Sequence, residues 1–442
     1  MLIEKSRLKT ILTLSVPIAA TMFGYNLIGL IDIAMVGRLG NAELASMGIG
    51  NFIFILLLTL PLGIGSGVQA LVSRRIGEGN PHLTGHDLNI GLLIACSLSL
   101  VLMIICYSIL PFLFSLVSQD PEVIEKGVLY LGARIPSLAL IGAGICFRSF
   151  WNGISLPIWP LVVLGISLII NVIFNYLLIF GNLGFPRLET MGAGLASTLA
   201  AVCGATTNFI LGLKYARKNG FLQRFPDAER IRTLLRVSLP ESANQFFIIL
   251  GVLVFFAIVG LLGTKEMAAS NVLINIFLIV HLPIMGFGMA SLTLVGQALG
   301  RKEPRDAKKW GWEVASIGTV GVIVFSIIVI LFPQAVLSIF ISDQSTINLA
   351  LIPLQLLGLW IWIDVFGTII SFSLVGAGAT KVVLICKFLF WWCLDLPLRW
   401  LVGVHLEYGL EGIFLIPFFV TTMGSSLFFL IWYRERWALI KI

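Results

Sequence analysis

Charged residues are scarce in this chain of 442 residues, where Asp, Glu, Lys and Arg together make up 12%. Hydrophobic residues make up 58%, and the mean hydropathy is +1.02. So little polar surface cannot cover a water-soluble globule of this size, which excludes a soluble enzyme or binding domain. The composition predicts an integral membrane protein.

Cysteine and histidine are also scarce. The six cysteines lie within apolar runs without CxxC spacing, which predicts buried packing residues rather than a disulfide framework. No helix carries a cluster of histidine and cysteine, and His281 and His405 stand alone. This pattern argues against a membrane-embedded enzyme, and we expect no cofactor and no metal other than a transported Na+.

Long apolar runs fill most of the chain. A bilayer crossing needs roughly 20 apolar residues, and about twelve runs are long enough. They are 10–36, 46–73, 88–118, 127–150, 157–181, 190–213, 232–261, 267–298, 310–341, 346–375, 382–404 and 409–433. Lipid leaves no water for unpaired backbone groups, so these runs are predicted to be transmembrane helices.

The two halves of the sequence resemble each other. Residues that recur in one register are Thr10, Leu12, Ser15 and Pro17, which return as Thr233, Leu235, Ser238 and Pro240. Such a repeat is typical of transporters built from two homologous halves. It predicts an N-lobe (1–213, six helices), a cytoplasmic linker (214–231) and a C-lobe (232–442, six helices). Because six is even, the lobes form a parallel pseudo-twofold repeat around a central cleft.

Most of the 29 lysines and arginines fall on one side of this topology. The positive-inside rule then predicts cytoplasmic N- and C-termini in a multi-pass protein of the cell membrane. The net charge of +7 is thus a topology signal, and we expect membrane lipid around a monomer, with no nucleic-acid partner. Gly63, Gly65 and Gly67 imitate a nucleotide-binding motif, but their place inside a membrane helix predicts close helix packing.

An ionisable residue near the bilayer centre costs about 2.5–3.5 kcal/mol, so each one needs a partner, a cavity or a function. Asp32 lies late in the first predicted helix. Asn171 and Asn175 lie one turn apart on the fifth, and the sixth adds the hydroxyls of Ser197 and Thr198. These oxygens predict a Na+ or proton site, and the sequence does not choose between the ions. The alternative is a structural ion pair between Asp32 and Arg38.

Other polar residues predict a substrate cleft. Asp364 lies in the middle of a helix of the second half, with Trp360 one turn earlier, and aromatic faces beside a carboxylate suit flat organic cations. The alternative for Asp364 is a structural hydrogen bond. Tyr25, Asn26 and Gln245 are further cleft candidates. Asp395 and Arg399 are predicted to neutralise each other, and Glu241 suits the start of its helix.

In these residues the chain resembles the multidrug and toxic compound extrusion (MATE) family of bacterial or archaeal secondary transporters. The phrases that carry the resemblance are Val36-Gly37-Arg38-Leu39-Gly40, Leu294-Val295-Gly296-Gln297-Ala298-Leu299-Gly300 and NVIFNYLLIFG at 171–181 before MGAGLAS. The resemblance covers nearly the whole chain. It implies twelve helices in two lobes and export of cationic or amphipathic organic compounds by alternating access, in antiport with H+ or Na+.

The resemblance also assigns residues. Asp32, Asn171 and Thr198 match the acidic, amide and hydroxyl positions of helices 1, 5 and 6, and Asn175 stands where some branches have Asp. Asp364 matches an acid that certain Na+-coupled members carry in helix 10. Those members have a Glu deeper in helix 7, where this chain has Phe246-Phe247-Ile248. Relatives also often have Arg and Asp where Val375 and Ala379 stand here.

Two rival functions share features with this reading. A flippase for lipid-linked or polysaccharide precursors would have the same two-lobe architecture, but it would need a cluster of cationic residues in its cavity, and the intramembrane charges here are chiefly acidic. A passive channel is the second rival, although a twofold repeat with paired acids favours alternating access.

Overall fold

A computed structural model describes residues 3–223 and 225–440 of the chain. Met1, Leu2, Arg224, Lys441 and Ile442, which belong to the predicted lobes and linker, lie outside the described residues. Within those two ranges the chain forms helices and connecting turns without any strand. The predicted all-α class is confirmed.

Seven α-helices belong to the first half of the sequence and eight to the second. In the first half they are α1 (Lys5–Val36), α2 (Asn41–Gly77), α3 (Thr84–Ser115), α4 (Pro121–Arg134), α5 (Ser137–Gly153), α6 (Ile158–Phe180) and α7 (Glu189–Leu211). In the second half they are α8 (Ala228–Gly260), α9 (Thr264–Gly300), α10 (Pro304–Leu331), α11 (Pro333–Leu337), α12 (Gln344–Gly376), α13 (Thr380–Phe388), α14 (Leu396–Trp400) and α15 (Gly409–Tyr433). Each of the twelve predicted apolar runs overlaps one or two of these helices.

Ten of the described helices are each long and apolar enough to cross a bilayer. The pair α4 and α5, bent by 47° at the break between them, is also long and apolar enough when the two helices are taken together. Pro136 lies in that break and lacks the backbone N–H that would continue the helical hydrogen bonds. The chain is therefore a multi-pass membrane protein.

The run predicted at 382–404 is helical but irregular. Here α13 and α14 are joined by a π-helical stretch, Leu389–Asp395, and a second π-helical stretch, Leu401–His405, follows. Pro397 at the start of α14 cannot donate a hydrogen bond to the carbonyl four residues earlier, and a π-turn accommodates such a gap without ending the helix. For this reason the segment consists of short pieces instead of one long α-helix.

The chain divides into two compact units, and the boundaries differ from those of the repeat. The N unit is residues 20–245, and the C unit is residues 1–19 together with residues 246–442. The start of α1 thus belongs to the C unit, and the start of α8 belongs to the N unit. Both changes of unit occur within a few residues of a proline that the repeat places in register, Pro17 in α1 and Pro240 in α8.

An arginine anchors the start of α1 within the C unit. The Arg7 side chain pairs with Asp306 at 2.7 Å and with Glu313 at 2.5 Å, and its guanidinium lies 3.5 Å above the ring of Trp310. Arg230 stands in the repeat register of Arg7, near the start of α8. In the N unit, Arg230 lies 3.9 Å from Asp87, which is in the first turn of α3. Each unit therefore holds the first helix of the opposite half by charge.

The linker between the halves is anchored to the N unit. His86 Nε2 lies 3.2 Å from Asp227 Oδ2, and the Leu222 backbone N–H donates to the Asn89 side chain at 3.1 Å. The backbone N–H of Arg230 donates to Asp227 at 2.9 Å, and together with the His86 contact it lowers the pKa of the Asp227 carboxyl. The described part of the segment predicted at 214–231 is accordingly fixed to the start of α3.

Glycines in α2 allow close packing, as the sequence predicted. A Cβ at Gly63 would overlap the backbone of Ser242 in α8, and a Cβ at Gly67 would overlap the Ser238 hydroxyl. Gly65 packs against Ile145 of α5 in the same way. The three glycines are therefore packing residues of a helix interface inside the N unit.

Replacing Gly63 by alanine should destabilise the protein. The added Cβ meets backbone atoms, which cannot rotate away, and overpacking of this kind costs about 1–3 kcal/mol. We expect the midpoint of thermal unfolding in detergent to fall by several degrees. Size-exclusion chromatography of heated samples measures this midpoint.

Gly48→Ala is the matched control, because Gly48 is in the same helix and has open space at its Cβ position. Alanine is the better helix former, so this variant should be as stable as the unmodified protein or more stable. Equal midpoints for the two variants would contradict the packing assignment.

Candidate ion-binding site

Asp32 is buried in the last two turns of α1, where only 1% of the residue is exposed. Its Oδ1 accepts a hydrogen bond from Asn175 Nδ2 at 2.6 Å, and its Oδ2 accepts one from Ser197 Oγ at 3.2 Å. Asn175 Nδ2 also donates to Asn171 Oδ1 at 3.1 Å. The structure thus brings Asp32, Asn171 and Asn175 together on α1 and α6, as the helical spacing predicted.

The hydroxyl at this site comes from Ser197 and not from Thr198. Thr198 Oγ1 donates to the Ala133 carbonyl at 2.8 Å, so its hydroxyl is bound to α4. Adjacent residues of a helix point about 100° apart, since 3.6 residues make a turn. Packing of α7 on α4 therefore decides which of the two neighbours faces Asp32.

Polar atoms of the two asparagines remain available at the site. The Asn175 Oδ1 and the Asn171 Nδ2 are buried and have no hydrogen-bond partner among the described residues. Buried polar groups are usually paired, and an unpaired one calls for an explanation, of which a bound water or ion is one. The site therefore offers carboxylate, amide and hydroxyl oxygens that a small cation could use.

No fixed ion pair neutralises Asp32. Within the part of the chain that the structure describes, no basic nitrogen lies within 4.0 Å of its carboxylate, so the alternative pairing with Arg38 does not form. Because only neutral donors contact the Asp32 carboxylate, its negative charge has no ion-pair partner when the carboxyl is ionised. In a buried location this charge favours the approach of a mobile cation.

Arg134 is a nearby cation that the sequence analysis did not assign to the site. It acts electrostatically on Asp32 from the end of α4. Its guanidinium donates to Asn51 Oδ1 at 3.1 Å and to the Tyr130 hydroxyl, and it lies 4.5 Å from the centre of the Phe54 ring. These contacts hold Arg134 away from direct contact with the carboxylate. Tyr130 and Arg134 lie one turn apart, and this spacing is the feature of the sequence from which their contact could have been predicted.

The predicted cleft residues of the N unit lie outside the Asp32 network. Tyr25 is 41% exposed, and its ring lies beneath the Arg148 guanidinium, 5.4 Å from its centre. Asn26 is exposed one residue further on. Gln245 Nε2 donates to Glu241 Oε1 at 2.9 Å, which places the two on one side of α8 as expected. The prediction that Glu241 suits the start of its helix was wrong, because α8 begins at Ala228 and Glu229 is the acid of its first turn.

Asp364 in the C unit has a partner that the sequence analysis missed. His281 Nδ1 lies 3.4 Å from Asp364 Oδ2, so the view that His281 stands alone was wrong. The two residues come from α9 and α12, far apart in sequence, and no local pattern links them. The predicted partner Trp360 contributes its ring to the same region, 5.7 Å from the ring of Phe277.

Two further sequence predictions concern the C unit. Arg399 Nε donates to Asp395 Oδ2 at 2.6 Å, which confirms the predicted neutralising pair. Within the stretch Phe246-Phe247-Ile248, Phe247 packs against Phe388 and Trp392 with ring centres 4.9 Å and 5.8 Å away. An aromatic cluster therefore occupies this part of α8.

The family model MatE matches the chain twice, at residues 17–177 and 240–401. The two matches correspond to the two halves of the internal repeat. Because they cover more than half of the chain, they show its family.

Similar proteins span nearly the whole chain. A probable multidrug resistance protein NorM of Rhodopseudomonas palustris is 29% identical over 91% of this chain and 87% of that protein. A probable multidrug resistance protein NorM of Thermotoga maritima is 24% identical over 97% of this chain and 93% of that protein.

Solved structures share the fold. The Vibrio cholerae MATE transporter VcmN in the bent form has a TM-score of 0.87 at 18% identity, covering 97% of each chain. The outward-facing conformation of a multidrug resistance MATE family transporter of the MOP superfamily has a TM-score of 0.88 at 20% identity, covering 98% of this chain and 97% of that one. At this identity the likeness shows the fold, which agrees with the predicted twelve helices in two lobes. Together with the two family matches, it establishes that this chain belongs to the MatE family and is a membrane transporter, not an enzyme.

Proposed function

We propose that this protein is a secondary active multidrug efflux transporter of the cell membrane, with cytoplasmic termini. It acts as a monomer and exports cationic or amphipathic organic compounds in exchange for H+ or Na+. The relatives named as multidrug resistance proteins support the substrate class. The observation that carries the coupling is Asp32, a buried carboxylate held by neutral donors and without an ion-pair contact among the described residues.

The hydrogen bonds of Asp32 favour a proton as the coupling ion. A proton on the carboxyl requires only that the Ser197 hydroxyl turn from donor to acceptor, because a hydroxyl can do both. Na+ requires oxygen ligands, and Asn175 presents its amide nitrogen to Asp32. A Na+ bound directly between Asp32 and Asn175 would therefore require the Asn175 amide to rotate and lose its bond to Asn171.

The energetics permit an exchange of one proton for one substrate cation. A gradient of one pH unit supplies about 1.36 kcal/mol per proton. A tenfold outward substrate gradient costs about 1.4 kcal/mol. A one-for-one exchange of monovalent cations moves no net charge, so it would run on the ion gradient alone.

The rival flippase function has less support. A phosphate site would need arginines gathered at one place. Arg399 is paired with Asp395 in the C unit, whereas Arg134 binds Asn51 and Tyr130 in the N unit. Because each arginine binds its own partners in a different unit, the two do not form one phosphate site.

Replacing Asp32 by asparagine should abolish coupled transport. The amide keeps the shape of the carboxyl but cannot carry a proton or neutralise a cation. In proteoliposomes with an imposed pH gradient or an imposed Na+ gradient, we expect the gradient-driven movement of ethidium to fall at least tenfold.

Glu407→Gln is the control, because Glu407 is an exposed acid remote in sequence from the site. It should transport at the unmodified rate. An unaltered rate in the Asp32→Asn variant would remove Asp32 from the mechanism, and a response to the Na+ gradient alone would identify Na+ as the ion.

Replacing Asn175 by aspartate should change the stoichiometry of the exchange. The substitution sets a second carboxylate beside Asp32, and a site with two acids can release two cations per substrate. A membrane potential supplies about 2.3 kcal/mol per net charge per 100 mV. We therefore expect a valinomycin-imposed potential to accelerate ethidium exchange by Asn175→Asp and to leave the unmodified protein unaffected.

Asn348→Asp, an exposed amide-to-acid change at the start of α12, serves as the control and should also be insensitive to the potential. Equal insensitivity of the Asn175→Asp variant would show that position 175 does not take part in ion binding.

A further inference from the structure

His281, halfway along α9, and Asp364, in the second half of α12, form a long-distance pair. The atoms that face each other, Nδ1 and Oδ2, are 3.4 Å apart, and neither forms a hydrogen bond among the described residues. Their side chains are 22% and 26% exposed. The Asp364 carboxylate is therefore near the His281 imidazole but can still accept hydrogen bonds from another group.

Aromatic rings adjoin this pair. The Phe277 ring stacks on the His281 ring with centres 4.7 Å apart, and the Trp360 ring lies 5.7 Å from Phe277. Trp360 lies one turn before Asp364 on α12, and its indole N–H is buried without a hydrogen-bond partner among the described residues. Aromatic faces beside a carboxylate are the features that bind flat organic cations.

Among the charged groups around the pair, His281 is the partner of Asp364, and its charge depends on protonation. On the segment after α12, Asp395 repels Asp364 electrostatically, and Arg399 is committed to Asp395 at 2.6 Å. On α9 itself, Lys265 and Glu266 lie in the first turn. The other charged residues on the packed helices are Arg305, Asp306, Lys308, Lys309 and Glu313 in α10, Lys381 and Lys387 in α13, and Glu411 in α15, and none of them is within 4.0 Å of Asp364 in the described part of the chain. Within the described part of the chain, His281 is thus the basic group within ion-pair distance of Asp364.

Histidine gives this partner a dependence on pH. An imidazole changes its charge between about pH 5 and pH 8. When His281 is neutral, Asp364 carries a charge that no neighbour cancels, and an organic cation can pair with it between the rings. When His281 is protonated, it becomes the counter-ion of Asp364 and repels a second cation.

We propose that His281 and Asp364 form a second proton-responsive site, in the C unit, where protonation of His281 displaces a flat organic cation from Asp364. The inference rests on the proposed function only for the class of substrate. It gives His281 a role that differs from that of Asp32, because the proton binds to a neighbour of the substrate's counter-ion. The proton and the substrate then compete at one carboxylate.

Equilibrium binding of ethidium to purified protein in lipid nanodiscs tests this competition without any gradient. Fluorescence polarisation would be measured at pH 7.5 and pH 5.5, in the unmodified protein and in the Asp32→Asn background. We expect the affinity to fall about tenfold at the lower pH in both, because an imidazole changes its charge between about pH 5 and pH 8.

Two variants of His281 have opposite expectations. His281→Asn cannot be protonated, so its affinity should change less than about twofold between the two pH values. His281→Arg keeps a fixed positive charge, so it should bind ethidium weakly at both, as should Asp364→Asn. His405→Asn is the matched control, since His405 stacks on Trp400 in a different segment, and it should keep the pH dependence of the unmodified protein.

The outcomes separate this inference from the proposed function. A full pH dependence in His281→Asn, or tight binding by His281→Arg, would overturn the role of His281 while leaving the efflux function intact. Absence of ethidium binding in the unmodified protein at both pH values would instead count against organic cations as substrates. Elution of each variant as a single species in size-exclusion chromatography verifies that it is folded.

Discussion

The cost of charge inside an apolar protein in lipid governs this structure. Three buried or half-buried acids meet that cost in three ways. Asp395 has a fixed arginine at 2.6 Å, Asp364 has a histidine that is charged only when protonated, and Asp32 has amide and hydroxyl donors. The first arrangement is permanent, because its charges always cancel. The other two leave a negative charge that a mobile cation can neutralise, and this makes them suited to transport.

The division into units places Asp32 on a helix that serves both of them. α1 carries Asp32 in the N unit, whereas its first residues, including Arg7, belong to the C unit. α8 repeats the arrangement in the opposite sense, with Arg230 in the N unit. The repeat thus gives each unit the start of one helix whose remainder belongs to the other unit.

Much of the fold could be predicted from the sequence because its signals are local. Apolar runs gave the helices, and the spacing of Asn171 and Asn175 put two amides on one face of α6. The remainder depends on how helices rotate and pack. Ser197 rather than Thr198 faces Asp32 because the Ala133 carbonyl binds the threonine hydroxyl. The contact of His281 with Asp364 joins helices separated by many residues, and no spacing rule reports such a contact.

The two candidate sites differ in the ions to which they can respond. The oxygens around Asp32 could serve a proton or, after rotation of the Asn175 amide, Na+. An imidazole binds protons at physiological pH and, when charged, offers Na+ nothing, so His281 can respond only to pH. In an exchange driven by protons, both sites would favour release of an organic cation on the acidic side. In an exchange driven by Na+, the charge of His281 would not follow the driving gradient. The pair formed by His281 and Asp364 is therefore consistent with proton coupling and offers no advantage to a Na+ cycle.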